Sequence, residues 1–174
     1  MSTPTAIKLT KQESAIMRWV QRAKSKDRTR PILTGVNVNG SVVACDGFRL
    51  HAVKTSEFTL LPALSGNILD LSNVKAGEGM VELSVIPGSY PEYNQILPAG
   101  IPAFEIAVNP KLLIDALTGL GNIAVLKFYG SDKPMEVYGK IEANHGDDTR
   151  TYSLIMPMFL NGEWSNTWRP DHKE

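Results

Sequence analysis

Three histidines, one cysteine and a scatter of acids are the residues of this chain whose chemistry could drive a reaction. His51, His145 and His172 stand far apart, Cys45 has no evident base, and neither metal-ligand spacing nor a phosphate-cradling glycine loop occurs. His145 with Asp147 and Asp148 could hold a cation, but the same residues suit a polar hairpin tip. The sequence therefore argues against an enzyme and implies no cofactor and no metal. What it does organise is positive charge. Residues 1–54 hold ten Lys and Arg against three acids, a net of +7, while residues 55–174 hold eight against fifteen, a net of −7. A basic first third on a neutral chain is the pattern expected when one face meets a polyanion. Lys11, Arg18, Arg22, Lys24 and Lys26 are the candidates, and Lys11, Arg18 and Arg22 stand seven and four residues apart, on one face of a helix.

The neighbouring residues supply that helix. Thr10 and Glu13 form a capping box, and Ile16, Trp19, Val20 and Ala23 recur at helical spacing as a stripe to be buried, up to about Ser25. A short strand precedes it at residues 6–9. Next comes Arg30-Pro31-Ile32-Leu33-Thr34-Gly35-Val36, with a β-branched strand predicted over residues 32–38. Asn39-Gly40 makes a tight turn into a return strand, and Asp46-Gly47 makes a second reversal into a third strand over residues 48–53. Residues 55–80 are apolar in places but broken by Pro62, Gly66, Gly77 and Gly79, and residues 81–86 form a strand. Prolines 87, 91, 98 and 102 mark an extended connector. A strand at residues 104–108 leads to Asn109-Pro110, a cap followed by the first helical position, and that helix carries Leu112, Leu113, Leu117 and Leu120 as far as Gly121. Three strands follow, over residues 123–129, 135–141 and 151–158.

Arg-Pro-x-Leu-x-Gly-Val followed by Ala44-Cys45-Asp46-Gly47-Phe48-Arg49-Leu50 resembles the middle domain of the bacterial DNA polymerase sliding clamp, the β processivity subunit. Tyr90-Pro91-Glu92-Tyr93-Asn94-Gln95-Ile96-Leu97-Pro98 is similar to the family's segment between its second and third domains. Tyr152-Ser153-Leu154-Ile155-Met156-Pro157-Met158 is similar to its C-terminal strand, and the helix after Asn109 resembles the one before that strand. The resemblance implies an α+β, DNA-clamp-like fold with two pseudo-symmetric strand-helix-three-strand halves. These are expected at residues 6–54 and 104–160 of a single domain spanning 1–160, with a connector at 55–103 and a tail at 161–174. The family's usual chain is far longer, with three such domains.

Carried over residue by residue, the family's hydrophobic peptide-binding cleft would use Cys45, Gly47, Phe48, Arg49 and Leu50, then Pro98, then Leu154, Met156, Pro157 and Met158. Two departures stand out. Phe48 replaces the usual His, and Phe159-Leu160 and a tail bearing Trp164 and Trp168 follow where the family ends in Arg-Leu. The tail's tryptophans are expected to dock on an apolar surface of this chain or of a neighbour. The function implied is a sliding clamp-like processivity factor that contacts double-stranded DNA without reading sequence and tethers a DNA polymerase or clamp-loader-type protein. Rings in the family contain six domains, so a homo-oligomer of six chains is the corresponding assembly. The alternative is a non-encircling decoy or regulator that captures clamp-interacting motifs. One cysteine excludes an internal disulfide, and neither a bilayer-spanning run nor a signal peptide is present, so a cytoplasmic protein without a membrane partner is expected.

Overall fold

The structure is a computed structural model and describes residues 5–98, 100–141 and 149–159. The chain divides into two compact units, one up to Leu97 and one from Pro98. In the first unit β1 (Thr5–Leu9) leads into α1 (Lys11–Gln21), and then come β2 (Val36–Asn39), β3 (Ser41–Cys45), β4 (Leu50–Lys54), β5 (Asn67–Ser72) and β6 (Gly79–Ile86). All six strands pair antiparallel in the order β1-β6-β5-β2-β3-β4. β5 and β6 lie in the 55–103 stretch, and β5 pairs on both sides, with β2 and with β6.

The capping box forms as predicted. Thr10 Oγ1 accepts from the Glu13 amide at 3.2 Å, and Glu13 Oε2 accepts from the Thr10 amide at 2.7 Å. The helix buries Met17 and Val20, and the turn after it Ala23, in a core shared with Leu9, Val36, Val38, Val42, Leu69, Leu71 and Leu83. At about 1.5–3 kcal/mol for each large apolar side chain, this stripe and not helix propensity holds α1 in place. Trp19, predicted to be buried, is 43% exposed. It stacks on His51 of β4 at 4.3 Å, and His51 Nδ1–H donates to the Trp19 carbonyl at 2.8 Å. Met17, which the stripe did not include, is fully buried.

The strand expected over residues 32–38 begins only at Val36, because Pro31 opens a 3-10 turn, Pro31–Thr34, closed by Thr34 Oγ1 donating to the Pro31 carbonyl at 2.7 Å. Gly35 then passes against β5 and β6. A Cβ there would lie 2.7 Å from both Ile68 Cγ2 and Ile86 Cδ1, so the glycine of the Arg-Pro-x-Leu-x-Gly-Val motif is a requirement of space.

In the second unit α2 (Pro110–Leu117) is capped by Asn109, whose Oδ1 accepts from the Lys111 amide at 2.9 Å. β7 (Val125–Lys127), β8 (Met135–Ile141) and β9 (Thr149–Ile155) form an antiparallel sheet in chain order. Its core is small: Met135, Val137 and Ile155 are buried against Ile106, Val108, Leu113, Ala116 and Leu120. The strand expected at residues 104–108 is reduced to one bridge, Ala107 with Met158, since Pro157 has no amide to extend the ladder.

Glu13 also reaches across the unit, with Oε1 accepting from the Thr59 amide at 2.6 Å. Burial pushes its carboxyl pKa up, but the donors from Thr10 and Thr59 outweigh that and hold it below the ordinary glutamate value. A folded-state pKa that is depressed contributes stability above the unfolded value and loses it as pH falls through the folded one. Glu13→Gln is therefore expected to cost about 1–3 kcal/mol near neutral pH, with the deficit shrinking on acidification. Urea midpoints measured at neutral and acid pH check this, and a deficit that stays constant would assign the effect to shape and not charge.

Candidate functional site

On α1, Lys11, Arg18 and Arg22 are all exposed and lie on the side opposite Met17, Val20 and Ala23. Burial of one face thus fixes where the cations point. Lys24 is half-buried and its ammonium is held by Asp70 of β5 at 3.2 Å, while Lys26 is exposed beyond the helix end. A shallow depression at this end is lined by Gln21, Arg22, Lys24, Ser25, Lys26 and Arg49. The structure therefore brings Arg49, assigned from sequence to the peptide cleft, beside three of the five candidate DNA contacts.

Arg49 belongs to the corner between β3 and β4. Asp46 Oδ1 accepts from the amides of Phe48 at 3.0 Å and Arg49 at 3.1 Å, and Oδ2 accepts from Arg49 Nε at 3.0 Å. Gly47 adopts φ +93°, a conformation that glycine reaches without steric cost. The Phe48 amide, with those of Arg49 and the Arg49 guanidinium, holds the Asp46 carboxyl below the usual carboxylate range. This locked loop leaves the Phe48 ring 96% exposed. Leu50 is half-buried opposite Cys45 in the ladder. Cys45 is buried; its amide donates to Tyr90 Oη at 2.9 Å, and the Tyr90 hydroxyl donates to Cys45 Sγ at 3.4 Å. Burial, then the contact with Cys45, pushes the Tyr90 phenol pKa up, so it stays a donor. Tyr90, in the motif read from sequence as a connector, is thus the residue that closes over the end of β3.

In the second unit Met156 and Met158 are 62% and 54% exposed, with Pro157 between them, and the Met158 amide donates to the Ala107 carbonyl at 2.8 Å. They share a groove of about 770 Å³ with Phe104, Ala107 and Phe159. Leu154 is exposed but does not line it, and Pro98 lies exposed at the start of the unit. Phe104, read from the sequence only as the start of a strand, adds an apolar wall and lies 6.0 Å from the Phe128 ring. The corner residues thus belong to the first unit and the methionine wall to the second. His145, Asp147, Asp148, Trp164, Trp168 and His172 lie outside the described residues. Among the described residues no cluster of three or more His, Cys, Asp or Glu could hold a metal ion, and no helix is long and apolar enough to cross a membrane.

Two antiparallel sheets, each with one helix packed against it and each with three strands in chain order after that helix, β2-β3-β4 and β7-β8-β9, define a fold seen in bacterial DNA sliding clamps. No protein-family model matches the chain and no curated protein does. Among solved structures, the DNA polymerase sliding clamp of Bacillus subtilis superposes with a TM-score of 0.58 at 21% identity, covering 90% of this chain and 51% of that one. The beta sliding clamp of C. crescentus gives 0.55 at 17%, covering 90% and 51%. The DNA polymerase III beta subunit of Thermotoga maritima gives 0.52 at 15%, covering 91% and 53%. The chain has the fold of these clamps over about half of their length.

The corner's accessibility is testable through its cysteine. Tyr90→Ala is expected to speed modification of Cys45 by a thiol reagent at least about tenfold, since it removes the ring over a buried group. An unchanged rate would place the barrier in the sheet itself.

Proposed function

We propose that this chain is a clamp-like processivity factor that contacts duplex DNA through the exposed face of α1 and tethers a replication protein through an apolar peptide site. The observation that carries the reading is the segregation on α1, with Lys11, Arg18 and Arg22 turned outward opposite the stripe buried in the core. Long cationic side chains on a rigid helix attract phosphates at any sequence, because the contact is electrostatic and base edges take no part. A factor that must travel along DNA needs that indifference.

In the first unit an apolar peptide contact would use the corner at Cys45, Gly47, Phe48, Arg49 and Leu50, and in the second it would use Pro98, Leu154, Met156, Pro157 and Met158. Methionine adapts to differently shaped apolar anchors, and an arginine can cover apolar surface with its stem while its head bonds carbonyls. A polymerase or loader would present a short extended segment with apolar side chains. Such a protein tethers and performs no chemistry, and it would work in the cytoplasm. The sheets end in β1 and β4 and in β7 and β9, strands whose outer edges suit pairing between copies. Six copies joined head to tail would complete a ring.

If three phosphates are contacted, log Kobs should fall with log salt at a slope of about −2.7, so a fourfold rise in salt weakens duplex binding roughly 40-fold. Arg18→Glu with Arg22→Glu should reduce the slope to about −0.9 and leave binding of an apolar clamp-interacting peptide intact. Equal loss of both activities would make α1 a structural element only. Mass measurement in solution tests the assembly. About six protomers supports a ring, whereas a monomer that still binds the peptide supports capture without encirclement.

A further inference from the structure

The groove beside Met156 and Met158 has a candidate occupant within reach on its own chain. Phe104, tilted against Phe128 at 6.0 Å, lines it together with the two methionines and Phe159, and all four side chains are exposed. Glu105, Ser131 and Asp132 line it too and supply acceptor oxygens. An apolar lining with acceptors suits a flat ring that carries a single donor. Phe159 is the last described residue of this segment, and Leu160-Asn161-Gly162-Glu163-Trp164 follow it in the sequence.

That stretch carries a reversal signal. Asn161-Gly162, set between Leu160 and Glu163, is the pair that favours a two-residue turn, since both of its central positions need φ > 0. In such a turn Leu160 and Glu163 exchange backbone hydrogen bonds, and Phe159 stands opposite Trp164 as the next and closer pair, with Cα atoms about 4.5 Å apart and both side chains on one face. Phe159 lines the groove, so this register aims Trp164 at it. Glu163 falls on the other face, away from Glu105 and Asp132. The Met158 amide already donates to the Ala107 carbonyl at 2.8 Å, so the ladder ends at this pair and the contact rests on the ring. An indole that enters such a groove removes about 150–250 Å² from water, and its N–H takes an acceptor.

We propose that Trp164 occupies the groove lined by Phe104, Met156 and Met158 of its own chain, and that an apolar peptide entering there has to displace it. This rests on the second-unit peptide contact proposed above and adds its regulation. Tethered five residues from Phe159, the ring is held at an effective concentration on the order of millimolar, so a tail whose separate peptide would bind with a Kd of about 100 μM fills the groove about nine-tenths of the time. The same segment on a second copy at micromolar concentration cannot match that. Weak apolar segments are thereby excluded, and a partner must bind about tenfold more tightly than the bare groove would require.

The test is fluorescence anisotropy with the full chain and two labelled peptides, one of residues 160–174 of this sequence and one an apolar clamp-interacting peptide. Trp164→Ala is expected to tighten binding of both about tenfold, because the tethered competitor is gone. Trp168→Ala, outside the register, should leave both as in the parent. Adding Met156→Glu to the Trp164→Ala chain should weaken the 160–174 peptide at least about tenfold; Met156 is exposed, and Met158→Gln serves where unfolding curves depart from the parent. The proposal is overturned if Trp164→Ala leaves the 160–174 peptide binding as the parent does, or if the groove substitutions leave it bound. A gain that shrinks on dilution of the chain seats Trp164 in a second copy and overturns it as well. The two readings fail separately. A clamp-interacting peptide that binds parent and Trp164→Ala chains equally removes the tail from the groove and leaves the tethering reading standing, whereas a 160–174 peptide that gains affinity while the clamp-interacting peptide binds neither chain supports the tail contact and removes the tethering.

Discussion

One buried carboxylate sets the geometry of the first unit. Glu13 sits at the first turn of α1, closes the cap with Thr10, and accepts the amide of Thr59 from a loop 46 residues further on. An ionised group in a dry position is tolerable only when donors surround it, so Glu13 fixes the helix against rotation about its axis as well as against fraying. That rotational setting matters more than the helix itself. A turn of α1 by one residue would move Arg18 toward the sheet and bring Met17 into water. The cations and the core stripe are two consequences of the same angle.

The two units differ in how much of their apolar surface they use. The first places Leu9, Met17, Val20, Val36, Val38, Val42, Leu61 and Leu69 almost wholly out of contact with water. Among its described residues the second buries three side chains and leaves Leu112, Ile114, Ile123, Val125, Met156 and Met158 half exposed or more. Helix α2 contains no buried residue. A sheet of three strands with one short helix has little area to bury, and its stability is correspondingly slight.

Much of this was legible in the sequence where the interaction is local. The capping box, the Asn39-Gly40 turn, the Asp46-Gly47 corner, the Asn109-Pro110 helix start and β8 depend on residues within a few positions of one another, and each is found where expected. The misses are non-local. β5 is a strand because β2 and β6 flank it, which no window of residues 55–80 contains. Trp19 stacks on His51 of β4, a contact between residues 32 positions apart that the helical stripe alone does not contain. The shared outward face of Lys11, Arg18 and Arg22 was readable from spacing, whereas the tie from Lys24 to Asp70 of β5 was not. The gathering of Tyr129, Tyr138 and Tyr152 around Glu136 was not, because three strands must first be aligned in register.

The position of Arg49 carries a thermodynamic consequence. Its guanidinium is held by Asp46 at the corner and also lines the depression shared with Arg22, Lys24 and Lys26, so a single charge borders two surfaces. A ligand that recruits this side chain at either surface alters the field felt at the other, and reciprocity obliges the second ligand to change the affinity of the first by the same factor. Under the proposed function, ligands at the corner and along the helix would be coupled through this one side chain, without any movement of the backbone.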